Sequence, residues 1–387
     1  MAERANARAV YSCFYYKIGG KSMGKRELFI VFGFIVVGTL AFQFTAPPAT
    51  GTSFFSLGNF FSRARSEMRG NPGRAINATK ASLPVTAGLR EVRLIGINEA
   101  VTVVGDSKTT IDYEFTVSSN GPDDAGALAL AKKTVLLLDD VAESLVLRAK
   151  FSDHGSQRAT ITMHVPPGLS VRLESSSGAT VTAVAAVHLE AMRGKVILTD
   201  TSGGVTGAHQ DGDLTIAGAK SIKLRLLRSK SRLSNITDGL TLDARDGDTE
   251  VTESAGAMEV DEIRNELTVT GHRGPIAVRG NDGRVTIRQP QAETRVDVRR
   301  AEVEVEIKSA VPLTLITSEE PLRLILDGAP AFTLDAAASS GAIQAVDFEL
   351  KPEISESDAR LSHIFGAKND AKITLRNTRG DIILRKK

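Results

Sequence analysis

The chain has a single cysteine, Cys13, and no tryptophan. No disulfide can form within it, so its fold rests on packing and hydrogen bonds, as large β domains allow in any compartment. Aromatic residues are 5% of the chain and apolar residues 42%. The core is therefore one of Val, Ile, Leu and Ala, the composition of stacked strands rather than of aromatic-rich pockets. Formal net charge is only +2, which supplies no global field for nucleic acid. The six histidines, His154, His164, His188, His209, His272 and His363, make no HxH, HxxxH or HExxH spacing, so a metal site on a helix or strand is not expected. His188, between Val187 and Leu189, falls at an outward position. GxSxG, Walker-type and GxGxxG-plus-acid patterns are absent as well. The expectation is a non-enzymatic chain with no catalytic, cofactor-binding or metal-binding residues and no cofactor.

One apolar run is long. Residues 28–46 read LFIVFGFIVVGTLAFQFTA without a charge and stop at Pro47-Pro48. About 19 residues at roughly 1.5 Å each span a hydrocarbon core. Lys17, Lys21, Lys25 and Arg26 precede the run, and the nearest positive charges after it are Arg63 and Arg65. That bias places residues 1–27 in the cytoplasm and everything after Pro47 outside it, as a single-pass protein of the cytoplasmic (inner) membrane whose C-terminal domain is extracytoplasmic or periplasmic. The alternative is a cleaved signal peptide starting at Met23. Residues 47–88 then form a juxtamembrane linker, of which 53–69, with Phe54, Leu57 and Phe61 at helical spacing, is either a helix in the headgroup layer or plain linker.

After Pro166-Pro167-Gly168 the chain repeats itself every 17 to 18 residues: strand, polar turn, strand, turn. Units begin at Val171, Val187, Val205, Ile222, Leu240 and Met258, and further ones at Pro275, Ala292 and Val311. Apolar residues alternate at period two, as in Val187/Leu189, Leu240/Leu242, Val285/Ile287 and Val303/Val305, which marks half-buried strands. A constant period means rungs that bury their inward faces only by stacking. The predicted fold is thus all-β, a stacked-rung β-solenoid over 171–387 with a C-terminal cap. The competing arrangement is a meander or sandwich of hairpins. Residues 89–170 read as an N-terminal β region with a short capping helix near 122–133, opened by Asp123-Asp124 and closed by Lys132-Lys133. Residues 351–371 read as a polar loop.

The first turn of successive rungs carries Arg193, Asp211, Arg228, Asp246, Arg264, Asp282, Arg299 and Glu319. The sign alternates rung by rung, as expected if these residues stack in one column and fix register. Asp211-Gly212-Asp213 and Asp246-Gly247-Asp248 resemble calcium-binding turns, but acidic rungs would lie about 10 Å apart with an arginine between them.

The Pro166–Leu169 turn, the strand–Gly turn–strand rungs and the final ITLRNTRGDIILRK resemble the bacterial "putative adhesin" domain-of-unknown-function family. The resemblance covers about 89–387 and implies a short-rung β-solenoid, often behind one membrane span, with no catalytic residues to carry over. The rung from Ile222 to Gly239 and the chain from Pro330 onward depart from its Gly-turn pattern. Three functional expectations remain. The first is a cell-envelope protein presenting a rigid solenoid for adhesion or scaffolding, with the membrane and an envelope glycan or protein as partners and no nucleic acid. The second is an envelope-stress sensing or signalling protein. The third is a polysaccharide lyase or hydrolase using outward carboxylates on neighbouring rungs, Asp243, Glu259 and Asp261.

Overall fold

Alternation at period two, repeated at constant intervals, produces parallel coils lying one on another in the computed structural model. The structure describes residues 73–106, 109–174, 178–367 and 371–387. The expected span 28–46, the cytoplasmic segment 1–27 and the juxtamembrane stretch 53–69 lie outside these residues. Among the described residues no helix is long and apolar enough to cross a membrane.

Strand β11 (Val196–Arg245) pairs in parallel with β12 (Asp248–Thr252) and β13 (Ala257–Ile263), and these pair with β14 (Glu266–Thr270) and β15 (Ile276–Arg288). Leu240, Met258, Ile276 and Thr294 face one another across the coils, each 18 residues after the last. On the adjoining side Leu233, Val251, Val269, Ile287, Val305, Leu324 and Leu384 form another column, every member buried. A fully buried Val or Leu stabilises by about 1.5–3 kcal/mol relative to an exposed one, so the columns supply the main driving force. The hairpin alternative is thereby replaced by parallel coils, and the rung from Ile222 to Gly239 keeps register despite lacking a Gly turn.

β11 runs through 50 residues because its corners are single left-handed residues, not loops. Asp200 (φ 54°), Asp211 (53°), Arg228 (49°) and Asn235 (54°) all lie inside it. One such residue turns the chain while neighbouring coils remain hydrogen-bonded, as Gly194 N–H to the Asp211 carbonyl shows at 3.1 Å.

The order of coils departs from the order of sequence at both ends. β2 (Glu91–Ile95) and β3 (Ala100–Gly105) lie between β6 (Ser144–Lys150) and β7 (Gln157–Val165) on one side and β8 (Ser170–Glu174) and β9 (Gly178–Thr182) on the other. At the far end β23 (Lys372–Thr378) and β24 (Ile382–Lys386) lie between β17 (Leu313–Ser318) with β18 (Leu322–Leu326) and β19 (Phe332–Ser339) with β20 (Ile343–Ala345). Residues 89–170 therefore supply coils of the same stack and are not a separate β region ahead of it.

Antiparallel strands close both ends. β4 (Thr110–Gly121) lies on β7, β1 (Gly73–Pro84) on β4, and β5 (Val135–Val141) on β6. β22 (Asp358–Phe365) lies on β19, and β21 (Glu353–Ser355) on β22. Two expectations change accordingly. Residues 73–84 of the expected linker 47–88 form β1, and the expected loop 351–371 contains β21 and β22. In both, short polar residues with few large apolar ones gave no strand signal, and the pairing comes from an exposed edge that needs cover. Helix α1 (Asp124–Ala131) starts at Asp123, whose side chain accepts from Gly126 N–H at 2.7 Å, and buries Ala127 and Ala131. Lys132 and Lys133 fall at and beyond its C-cap.

Candidate functional site

Arg and Glu are poor choices for left-handed backbone, which favours Gly and, among other residues, Asn and Asp. Yet Asp211, Arg228, Asp246, Arg264, Asp282, Arg300, Glu319 and Arg379 all adopt it, with φ between 49° and 73°. They are the expected corner ladder, with two corrections. Arg300, not Arg299, turns the corner, because the coil before it is closed one residue later. Arg193 stands just before the corner residue Gly194, opposite Gln210. The ladder also extends to Arg379, brought in by the inserted C-terminal coil.

Its charges join in pairs. Arg228 holds Asp211 through Nε–Oδ1 at 2.5 Å and Nη2–Oδ2 at 3.0 Å. Arg264 holds Asp246 at 2.6 Å, Arg300 holds Asp282 at 2.7 and 2.9 Å, and Arg379 holds Glu319 at 2.7 Å. These arginine hydrogen bonds keep Asp211, Asp246 and Asp282 below the usual carboxylate range. The Asp-Gly turns are thus built around arginine: a Cβ on Gly212 or Gly247 would strike the carbonyl of Gly194 or Ser229 on the preceding coil. Among the described residues no cluster of three or more His, Cys, Asp or Glu side chains is placed to hold a metal ion.

Two buried histidines repeat one construction. His272 Nε2 meets the Gly256 carbonyl at 3.0 Å and its Nδ1 meets Ser254 Oγ at 2.7 Å. His209 makes the same pair with the Gly194 carbonyl (3.0 Å) and Ser229 Oγ (2.8 Å). A carbonyl only accepts, so Nε2 carries the hydrogen and Nδ1 accepts from the serine. Burial pushes both imidazoles below the ordinary histidine value, which fits neutral rings. Their role is to satisfy corner carbonyls, and their long separations from other histidines gave no motif in the sequence. His188 stays at the surface, hydrogen-bonded to Thr206 Oγ1 at 2.9 Å.

Glu262 is the unexpected titratable group. It stands between Ala244 and Gly280 in the column above the corner, is 1% exposed, and neither carboxyl oxygen has a hydrogen-bond partner. Burial pushes its pKa up to about 8. The nearby Asn265 amide offsets part of this without reaching hydrogen-bonding geometry.

The three outward carboxylates come together on the face of β11 and β13. Asp243 faces Asp261, and Glu259 faces Thr241. Asp243 is fully engaged, with Arg225 at 3.2 Å and Arg245 at 2.8 Å. Beside Asp243 and Asp261 runs an open groove of about 440 Å³ lined also by Thr206, Lys223, Arg225 and Thr241. Gly207 and Ala208, which carry almost no side chain, line it as well, next to the irregularity between Leu189 and Met192. A second concavity, about 540 Å³, lies at the C-terminal end among Leu326, Phe348, Glu349, His363, Phe365 and Lys386. There Phe332 and Phe365 stack at 4.7 Å, Phe348 meets Phe365 edge-on at 5.3 Å, and Lys386 Nζ lies 5.1 Å from the Phe348 ring centre. Its residues are gathered from segments far apart in sequence, so no local pattern announced it.

No protein-family profile and no curated protein matches the chain. Among solved structures, the chain is similar to a putative cell adhesion protein from Clostridium sporogenes ATCC 15579, at 10% identity over 82% of this chain and 100% of that one, TM-score 0.18. It is also similar to a putative adhesin from Parabacteroides distasonis ATCC 8503 (10% identity, 80% and 97% covered, TM-score 0.34). A third is a putative adhesin from Bacteroides fragilis NCTC 9343 (12% identity, 80% and 97% covered, TM-score 0.24). The second and third bear the adhesin name of the family that the sequence resembles. Superpositions this loose say nothing about what the chain binds.

Proposed function

We propose that the protein is a non-enzymatic cell-envelope component that holds the coil stack outside the cytoplasmic membrane as a rigid surface for adhesion or scaffolding. Residues 28–46 are its anchor, on the strength of their length, apolarity and flanking charge. The observation that carries the reading is the face around the 440 Å³ groove. It sets threonine hydroxyls, a lysine, an arginine and two aspartates on stiff, in-register strands, a row of donors and acceptors suited to a hydroxyl-rich envelope glycan. Asp243 is held by two arginines, which suits a fixed acceptor better than a residue that must exchange protons.

The test is retention of the full chain, purified in mild detergent, on immobilised envelope glycans and peptidoglycan fragments. Binding that weakens at least tenfold with Asp261→Ala, but not with Phe348→Ala at the other concavity, supports the groove. Failure to bind any envelope glycan or envelope-protein fraction would overturn the reading, as would protease accessibility of the coil domain only from the cytoplasmic side.

A further inference from the structure

At the N-terminal end of the stack the outermost coil, β6 with β7, is covered by β5 and β4, and β1 lies beyond β4. Helix α1 packs on β1 and β4. This cap is where the apolar surface gathers: Ile76, Leu128, Val135, Leu137, Leu138 and Val141 are all exposed. Among the described residues the other exposed large apolar side chains, Val346, Ile354 and Ile364, belong to the opposite end, and the coils between expose none. Val135, Leu137 and Val141 stand on the outward face of β5, opposite Lys150, Arg148 and Ser144 of β6, and no other described strand pairs with the outer edge of β5. Apolar surface concentrated in one place on an otherwise polar module marks a contact site.

What it meets follows from how the chain enters. β1 begins the stack at Gly73, inside this cap, where Arg74 N–H donates to Asp124 Oδ1 at 3.2 Å. Residues 48–72 alone separate that point from Pro47, the end of the apolar run 28–46. A tether of this length keeps the cap at high local concentration beside the bilayer, so a modest apolar gain suffices to seat it. Charge gives no help: Asp123, Asp124, Asp139 and Asp140, all exposed, outnumber Lys132 and Lys133, which offers no attraction to anionic headgroups.

From this placement we infer that the N-terminal cap is a lipid-docking face, whose exposed apolar side chains on β5, α1 and β1 enter the headgroup layer of the bilayer that holds the chain. The inference rests on the anchor proposed above. It also sets the height of the groove. From β5 the pairing runs through β6, β2, β8 and β10 (Val187–Arg193) to the coil of Thr206. Five strand spacings put the near edge of the groove roughly 24 Å from β5, clear of the lipid and open to envelope polymers.

The chain has no tryptophan, so Leu137→Trp gives the cap a single reporter, and Ile354→Trp, at a residue 75% exposed at the other end, is its control. Each full-length variant is reconstituted into phosphatidylcholine vesicles, with or without brominated acyl chains, and floated on a density gradient. Leu137→Trp emission is expected to fall by about half in the brominated vesicles, as for side chains at the headgroup–acyl boundary, while Ile354→Trp stays unquenched. Val141→Trp should repeat the result, the quenching should persist at high salt, and thermal melts matching the wild type show that the variants fold. A chain that floats but leaves Leu137→Trp and Val141→Trp unquenched overturns the inference and leaves the anchor standing. Blue-shifted yet unquenched emission does the same, since a second copy or the chain's own residues then cover the edge. Equal quenching at both ends, or quenching lost at high salt, also overturns it. A chain that does not float overturns the anchor, and the inference with it.

Discussion

Glu262 gives the single-residue chemistry its sign. Its pKa is about 8 in the folded chain and about 4.3 in an unfolded one, so the folded state holds the extra proton between those values. Stability from this group is fully present below about pH 4.3 and is lost as pH rises through 8. Glu262→Gln is expected to raise stability at pH 8 by on the order of 3 kcal/mol and to change it little at pH 4.5, in urea melts at the two pH values. A gain that is the same at both would mean that the carboxyl is solvated. The corner aspartates run the other way. Their pKa values are depressed, so their contribution is present above about pH 4 and fades as pH falls below it. None of this was legible beforehand: Glu262 sits at an inward position that alternation marks, yet a charged residue there gives a sequence reader no reason to choose burial over a bulge.

At the scale of the element, the corner is the unit that was most legible. Alternating Asp and Arg at 17- to 18-residue spacing has no other use than a column, and the structure builds that column with Arg300 in place of Arg299. Asp246→Arg sets three arginines in a row with Arg228 and Arg264, on a backbone already shown to accept arginine at φ near 50°. It is expected to lower the thermal midpoint, and Arg264→Asp in the same chain should recover part of the loss, giving a favourable coupling in a double-mutant cycle. Glu259→Arg, flanked across the coils by Thr241 and Ala277, should leave the midpoint nearly unchanged. Asp243 is no neutral control, because two arginines hold it. Equal midpoints for Asp246→Arg and Glu259→Arg would remove the ladder's role in register.

For the whole molecule, the consequence lies in coil order. Ile373, Leu375, Ile382 and Leu384 are buried inside the stack although they belong to the last 15 residues. At about 1.5–3 kcal/mol for each side chain, their loss approaches the ~5–15 kcal/mol that holds a whole domain folded. Ending the chain at Ala371 is therefore expected to abolish cooperative unfolding, followed by circular dichroism, where a sequential solenoid would lose only its last rung. A truncated chain with an unchanged melt would refute the inserted coil. Insertion also means that the far end of the stack cannot close until the final strands are available.

The sequence by itself determined the strands of the repeating coils, their inward faces, the interval between coils and the alternating corner, because these depend on residue type at fixed spacing; it did not mark the closing strands β1, β21 and β22. The third dimension alone decided which segment is whose neighbour at the two ends, the burial of Glu262, His209 and His272, the end cleft, and the unpaired edge of β5. Period and pattern are local quantities that a chain carries along its length. Coil order and edge exposure are set by competition among distant segments for the same hydrogen-bonding edge, and that competition is settled only when all of them are present.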